Sequence, residues 1–308
     1  MNSLRILAIW LLLCTIWSST WIFIKLGLAD LPPILFAGLR IALASLVLFG
    51  INLARRAPWP RTGREWTFIA VTGVLTFAVN YGLLFWGEKQ ISSGLAAVLQ
   101  ATIPAFGLVF AHFYLPAERL TVPKAAGVAL GLAGVGVIFA DQLQLAGALA
   151  LWGSLAVVVG GCSAAYASVL VKARGRHFDP GVLAGTQMFF GCLPSLVLGW
   201  MFEGRPWDLH WTGQAIFALV YLALMGSVVA FSLFYWLVRR IDVTKTMLIS
   251  LVTPVAAVVV GWVVLREQLP ARTLVGGSCV LAGLGLVIYR REPGVAAPPP
   301  EILESAEG

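Results

Sequence analysis

Long apolar stretches alternate with short polar connections along almost the whole chain. A membrane-spanning helix needs about 20 consecutive, mostly apolar residues, and ten stretches meet this requirement. The connections between them carry most of the Pro, Arg, Lys, Asp and Glu residues. The pattern therefore predicts an all-α integral membrane protein with ten transmembrane helices, at residues 5–28, 33–54, 66–86, 92–115, 122–140, 148–172, 180–202, 212–238, 244–265 and 272–290.

The two ends of the chain differ from each other. The first apolar stretch, 5–28, is too long for the core of a cleaved signal peptide, and no small-x-small cleavage site follows it. We therefore expect it to be a retained helix. The last residues, 292–308, contain three consecutive prolines followed by acidic and small residues, a composition that predicts a disordered tail.

The composition and the charge distribution both point to lipid as the solvent. Hydrophobic residues make up 59% of the chain and charged residues 11%, against about 25% charged in an average soluble domain. With the N-terminus in the cytoplasm, 15 lysines and arginines lie on the cytoplasmic side and 5 on the other. The positive-inside rule then predicts a multi-pass protein of a bacterial inner membrane with both termini cytoplasmic. The net charge of +7 needs no nucleic-acid partner to explain it.

The chain also contains an internal repeat. An offset of 147 to 150 residues aligns many positions of the first half with the second, in the same order. We expect one five-helix repeat over 1–141 and another over 148–291. Because five is an odd number, the second repeat must enter the membrane from the opposite side, so the repeats are predicted to be inverted. Matching residues are Lys25 and Lys172, Pro33 and Pro180, Trp86 and Trp236, Pro104 and Pro254, and Glu118 and Glu267.

Several short motifs follow one another in a characteristic order. They are Trp17-Ser18-Ser19-Thr20-Trp21, Lys25, Pro32-Pro33, Ala37-Gly38-Leu39-Arg40, Glu88-Lys89-Gln90, Ser93-Gly94-Leu95-Ala96-Ala97, Pro104 and Glu118. In this set the chain resembles the EamA-type branch of the drug/metabolite transporter superfamily, over about residues 5–290. The resemblance implies ten helices in two repeats and the export or facilitated movement of small metabolites, often amino acids. It does not fix the substrate.

Two prolines lie at matching places near the middle of two predicted helices. Pro104 and Pro254 each remove a backbone donor, and interrupted helices at matching places in two repeats indicate a substrate site. Gln100 lies near the first proline, and Ser250 and Thr253 lie near the second. A packing kink without any ligand is the alternative interpretation.

Four other predicted helices, the first, third, sixth and eighth, also carry polar and aromatic side chains. An aromatic wall with a few polar groups suits a small amphipathic solute, whereas Trp and Tyr near helix ends serve as interfacial anchors. The anchor interpretation fits Trp86 and Trp236, which lie near helix ends, whereas Trp17 and Tyr166 lie deeper, and Asn80 is expected to face protein or water. The candidate substrate-binding residues are Trp17, Thr20, Asn80, Tyr81, Ser163, Tyr166, Ser232 and Tyr235.

Arg40 is the one charged side chain placed well inside a predicted span. It could pair with a substrate carboxylate, hold backbone carbonyls, or extend to the outer interface. Its counterpart in the second half is Gln187. No acidic residue lies in mid-membrane, and Glu88 and Glu267 are expected in water at helix ends. Facilitated diffusion and proton antiport are therefore both open.

These features favour a secondary transporter that moves an amino acid, a related amphipathic solute or a xenobiotic by alternating access. An intramembrane enzyme would need a nucleophile with its base, paired carboxylates or a metal cluster. The three histidines have no ligand spacing, the four cysteines form no CxxC pair, and no Walker motif occurs. A channel would need a filter or a charged ring. We expect no enzyme activity, metal or cofactor, a small molecule and the bilayer as partners, and a monomer or homodimer.

Overall fold

The computed structural model describes residues 3–138, 147–256 and 271–289, and none of these residues forms a strand. A short 3-10 turn, Pro206–Asp208, precedes the eighth helix. In chain order the helices are α1 (Ser3–Leu28), α2 (Pro33–Ala54), α3 (Gly63–Gln90), α4 (Ser93–Gln100 and Ile103–Tyr114), α5 (Val122–Ile138), α6 (Ala148–Arg174), α7 (Pro180–Glu203), α8 (Gly213–Val238), α9 (Val243–Ala256) and α10 (Ala271–Tyr289).

Seven of these helices, α1 to α4 and α6 to α8, are long and apolar enough to cross a bilayer. The described parts of α5, α9 and α10 are apolar but shorter, and each borders a stretch that lies outside the described residues. The described part of the chain is thus all-helical, with seven helices that could cross a membrane, and the count of ten spans stays a prediction for these three helices. The predicted tail at 292–308 and Glu267 also lie outside the described residues.

Side-chain caps set the beginnings of several helices. α3 begins at Gly63, three residues before its predicted start, because Thr62 and Glu65 form a capping box. The Thr62 hydroxyl accepts the Glu65 N–H at 3.3 Å, and the Glu65 carboxylate accepts the Thr62 N–H at 3.0 Å. This arrangement satisfies two backbone donors that a helix start leaves unbonded. Other capping side chains are Ser92 before α4, Asp179 before α7 and Thr212 before α8.

Two helices contain a π-helical segment at matching places. The segment in α3 is Val74–Asn80, and the segment in α8 is Leu224–Val229. An offset of 150 residues, the one that aligns Pro104 with Pro254, places the second segment on the first. π-Helical turns are rare and occur often at functional sites. The repeat in the sequence therefore has a counterpart in an unusual local backbone geometry.

The predicted fourth helix, 92–115, is not continuous. It is interrupted at Ala101 and Thr102, and Pro104 lies in the first turn of the second piece, not in the middle of a helix. Proline is tolerated there because the first turn of a helix has no internal acceptors for its N–H groups. α9 has a turn of its own at Leu248, six residues before Pro254. Each proline thus follows a break in its helix.

Helices from the two halves pack against each other reciprocally. α2 packs along α7, and α5 packs along α10, so that matching helices form pairs. α3 lies against α6, and α8 lies against α1, which is the same contact with the halves exchanged. The α5–α10 pair approaches closely at small residues, as is common between membrane helices. A Cβ atom on Gly127 would lie 2.6 Å from the Gly283 oxygen.

Substitution of Gly134 is expected to destabilise the α5–α10 pair. A Cβ atom there would lie 2.5 Å from the Gly276 oxygen and 2.9 Å from the Cys279 Cβ, so Gly134→Ala should cost about 1–3 kcal/mol through overpacking. The matched control is Gly136→Ala on the same helix, where no atom lies within 4 Å. The thermal unfolding midpoint in detergent should fall for the first variant alone. Equal midpoints would contradict this packing.

Candidate functional site

A cavity lies in the centre of the bundle. It has a volume of about 120 Å³, taken as the space open to the centres of water-sized molecules. Seven helices contribute to its walls, and no described residue of α5, α7 or α10 does so. The aromatic and aliphatic lining residues are Trp17, Trp21, Ile24, Tyr81, Leu84, Ile103, Ala164, Phe231, Phe234 and Met247, and the polar ones are Thr20, Arg40, Thr76, Asn80, Gln100, Ser168, Thr246, Ser250 and Thr253.

The structure brings eight of the residues selected from the sequence to this one cavity. They come from α1, α2, α3, α4 and α9, so the two halves of the chain both contribute. A single space at the centre of the described bundle therefore collects residues that are up to 236 positions apart. The eight residues are Trp17, Thr20, Arg40, Asn80, Tyr81, Gln100, Ser250 and Thr253.

Six other candidates lie away from the cavity lining. Pro104 and Pro254 lie within their helices and do not line the cavity. Ser163 donates to the Leu75 oxygen at 2.8 Å, and Ser232 donates to the Val228 oxygen at 2.7 Å. Both acceptors belong to π-helical segments, whose widened turns leave carbonyls in need of donors. These two serine side chains therefore support the backbone next to the cavity.

The two remaining tyrosines have other surroundings. The Tyr166 hydroxyl lies 3.1 Å from the Tyr114 hydroxyl, at a half-exposed position between α4 and α6. Tyr235 is 2% exposed, packs against Phe231 and Phe234, and does not belong to the described cavity lining. The sequence did not single out those two phenylalanines, although their i, i+3 spacing places them on one face of α8.

Arg40 is the most unusual residue of the lining. It is 1% exposed, its Nε donates to the Ser227 hydroxyl at 3.0 Å, and one terminal nitrogen donates to the Gly226 oxygen at 3.1 Å. Its guanidinium carbon lies 4.7 Å from the centre of the Tyr81 ring, a favourable cation–π distance. The other terminal nitrogen, Nη1, is buried and has no hydrogen-bond partner among the described residues.

Glu88 is fully buried, although the sequence placed it in water. The reason is that α3 continues to Gln90 and packs tightly on α6. A Cβ atom on Gly87 would lie 2.6 Å from the Gly153 oxygen. The Glu88 carboxylate interacts electrostatically with Arg40, so the arginine charge is compensated from outside the cavity lining.

Hydrogen bonds fix the polar walls. The Gln100 amide donates to the Asn80 side-chain oxygen at 3.3 Å and to the Val157 oxygen at 3.4 Å, which joins α3, α4 and α6. The Ser18 hydroxyl donates to the Thr253 oxygen at 3.0 Å, and this bond joins α1 to α9. Residues of both halves are therefore held around the cavity before any solute enters it.

The formal charge of the described lining residues is positive, and the carboxylate that compensates it, Glu88, lies outside the lining. Arg40 is the charged side chain of the lining, and no Asp or Glu side chain belongs to the described lining residues. The remaining surface is aromatic, aliphatic or neutral and polar. Such a site can bind a small solute that has an anionic group and an apolar body. The described lining residues include no cysteine, histidine or carboxylate that could serve as a nucleophile or base.

Comparison with known proteins gives consistent matches along the chain. The model of the EamA-like transporter family matches residues 4–140 and again residues 151–289. The Bacillus subtilis protein named uncharacterized transporter YoaV is 30% identical over 87% of this chain and 91% of its own length. The Escherichia coli K12 protein named uncharacterized inner membrane transporter YedA is 30% identical over 91% of both chains. A solved crystal structure has the same fold, with a TM-score of 0.76 at 21% identity, and covers 92% of this chain and 98% of its own.

Proposed function

Because this chain belongs to the EamA-like transporter family, we propose that it is a secondary transporter whose central cavity carries a small solute across the membrane by alternating access. Three observations support this mechanism: the family model matches twice, the π-helical segments correspond, and helices of the two halves pack reciprocally. Inverted repeats are typical of secondary transporters, because exchange of the conformations of two similar halves exchanges the open side.

The orientation in this proposal follows from the lysines and arginines. We place both termini and the connections α2–α3, α4–α5, α6–α7 and α8–α9 in the cytoplasm, because these connections carry the excess of positive charge. In this arrangement all ten helices cross the bilayer. The name of the similar Escherichia coli protein, an inner membrane transporter, supports the bacterial inner membrane as the location.

The substrate class in this proposal follows from Arg40. A guanidinium in a cavity without acidic lining residues favours a solute with a carboxylate. Its Nη1, which is buried here without a hydrogen-bond partner, is the donor that we propose for this carboxylate. The volume of about 120 Å³ corresponds to roughly ten water-sized positions at about 10–15 Å³ each. An amino acid or a related amphipathic solute has this size, and its apolar part would contact Trp17 and Phe231.

The direction and the coupling are part of the same proposal. We propose facilitated movement, because no carboxylate in the described lining could carry a proton together with the solute, and export as its direction, which the family resemblance implies. Aromatic walls of this kind also accept apolar drug-like molecules, so a xenobiotic is the second candidate substrate. The two candidates differ in whether a carboxylate is required.

Uptake into proteoliposomes tests the proposal. A panel of labelled amino acids would be compared with the matching carboxamides, which keep the side chain and lack the carboxylate, with and without a pH gradient. Saturable uptake of amino acids over carboxamides, above that of protein-free liposomes, is the expected result. Equal uptake of both compounds would overturn the role of Arg40 and favour a xenobiotic substrate. Absence of saturable uptake for every compound would overturn the proposed function.

A further inference from the structure

A buried lysine holds the α8–α9 connection at one end of the bundle. Lys172, near the end of α6, is 9% exposed, and its ammonium group donates to the Val238 and Ile241 oxygens at 2.6 Å each. These are short, charge-assisted hydrogen bonds. They tie the end of α6 to the end of α8 and to the chain that leads into α9.

A buried carboxylate extends the same cluster to the α4–α5 connection. Glu118 is 4% exposed, and one of its oxygens accepts the Val243 N–H at 2.8 Å. Its other oxygen lies 3.8 Å from the Lys172 ammonium group. Four helices, α4, α6, α8 and α9, are thus joined at one end through Lys172 and Glu118. We call this cluster the Lys172 latch; it consists of these two side chains and the backbone groups of Val238, Ile241 and Val243.

An apolar plug lies between the latch and the cavity. It is a separate cluster of buried residues from α4, α6 and α9, each at most 3% exposed. Val243 belongs to both the plug and the latch, and Met247 belongs to both the plug and the cavity lining. The cavity is therefore closed toward this end by packed apolar side chains that the latch holds together. The plug consists of Ala111, Ala165, Val169, Val243 and Met247.

The opposite end has the matching lysine in a different state. Lys25 corresponds to Lys172, and Glu88 corresponds to Val238, by the offsets of the repeat. The Lys25 ammonium group lies 3.5 Å from the Glu88 backbone oxygen, and its side chain is exposed. A lysine-to-carbonyl contact thus exists in both halves. It is 2.6 Å long at the buried Lys172 and 3.5 Å long at the exposed Lys25.

We propose that Lys172 and Glu118 close the cytoplasmic end of the transporter in this conformation, and that release of the Val238 and Ile241 oxygens by Lys172 opens it. This inference rests on the proposed function, in which the two ends open in turn. Lys25 has the equivalent role at the outer end, where its contact shortens when that end closes. The two lysines therefore favour opposite states of one cycle.

Accessibility of the cavity from each side tests the latch without any knowledge of the substrate. Ser250, a lining residue, is replaced by cysteine in a full-length chain whose four native cysteines are replaced by serine. A membrane-impermeant maleimide is applied to right-side-out and inside-out vesicles. With the latch intact, labelling should be fast from the outer side only. Lys172→Met should raise cytoplasmic labelling about tenfold or more, since one charge-assisted hydrogen bond accounts for a factor of that size.

Three further variants test whether the change in labelling is specific to Lys172. Lys245, near the start of α9, pairs with Asp242 just before that helix at 3.1 Å, so Lys245→Met removes a nearby positive charge without releasing a contact between helices, and labelling should not change. Lys25→Met should leave cytoplasmic labelling low, because it weakens the opposite end. Lys172→Arg, a milder change for folding, should shift labelling in the same direction by a smaller factor.

The outcomes separate this inference from the proposed function. One-sided labelling that stays unchanged in both Lys172 variants would overturn the latch and leave the transporter proposal standing. A rise in cytoplasmic labelling with Lys25→Met would also overturn the latch, since the two ends would not act oppositely. Equal labelling from both sides in the parent chain would contradict alternating access itself.

Discussion

Replacement of Arg40 by methionine is expected to lower the transport efficiency of carboxylate-bearing solutes by about tenfold to a hundredfold, because a charge-assisted hydrogen bond is worth about 1.5–3 kcal/mol. Arg40 is the charged side chain of the described lining, and in our proposal its Nη1, buried here without a hydrogen-bond partner, is the donor for the carboxylate. Methionine retains the length and apolar packing of the side chain. The loss should appear as a higher KM for the amino acid and no change for its carboxamide.

The repeat provides a matched control for this variant. Gln187, the counterpart of Arg40, is fully buried and donates to the Thr72 hydroxyl at 2.6 Å, away from the cavity lining. Gln187→Met removes a buried polar group at the equivalent place, so the KM for the amino acid should stay near that of the parent. A similar loss in both variants would show that Arg40 acts through packing, and the carboxylate assignment would then be wrong.

The cytoplasmic end is expected to close more firmly as the pH falls through about 7. Burial, and secondarily the Asp242 charge, raise the pKa of the Glu118 carboxyl to about 7 against the opposing effects of Lys172 and the Val243 N–H. When this end opens, the carboxyl meets water and its pKa returns toward 4.5, the ordinary value. The proton therefore binds more tightly to the closed state.

The direction and the size of this pH effect follow from the linkage between proton binding by Glu118 and closure of the cytoplasmic end. The stabilisation of the closed state is complete below the ordinary pKa of Glu118 and is lost as the pH rises through about 7. Between pH 8 and pH 6 the ratio of closed to open should rise about tenfold. The charged groups near Glu118 are Lys172 on α6 and Asp242 before α9, and Asp242 is itself paired with Lys245. On the α5 side, Lys124 donates to the Arg119 oxygen.

Labelling of Ser250→Cys measures this pH dependence. The ratio of cytoplasmic to outer labelling cancels the pH dependence of the thiol reaction itself. It should fall about tenfold from pH 8 to pH 6 in the parent chain. In Glu118→Gln the side chain is neutral at every pH and can still accept the Val243 N–H, so the ratio should stay low and flat. The same slope in both chains would exclude Glu118 as the titrating group.

The sequence was sufficient for the membrane class, for most helix positions and for the family. The length of an apolar stretch locates a span, because backbone N–H and C=O groups in lipid must form hydrogen bonds within the protein, as they do in a helix. The sequence alone did not predict the start of α3, which the capping box at Thr62 sets. It also did not predict the break in α4 before Pro104. The predicted two-fold arrangement of inverted repeats stays part of the proposal.

Part of the candidate site was predictable from the size and polarity of single side chains. Trp17, Asn80 and Gln100 are too large or too polar to be satisfied within their own helices, so they face the centre. The prediction that Ser163 and Ser232 line the cavity did not anticipate that their hydroxyls donate to carbonyls of the π-helical segments. No residue pattern in the sequence predicts a π-helical segment. The latch could not be predicted from the sequence, because its contacts join residues that lie far apart along the chain.

The π-helical segments set which side chains of α3 and α8 face the cavity. A π-helical turn holds more residues than an α-helical turn, so a regular α-helix with the same number of residues over Val74–Asn80 would rotate the rest of α3 about its axis. Tyr81 and Leu84, which line the cavity, would then face elsewhere. The same argument applies to Leu224–Val229 and to Phe231 beyond it. Loss of one residue would be absorbed within these two segments by conversion of a π-helical turn to an α-helical one, whereas in the regular parts of α3 or α8 it would rotate the following residues by about 100°.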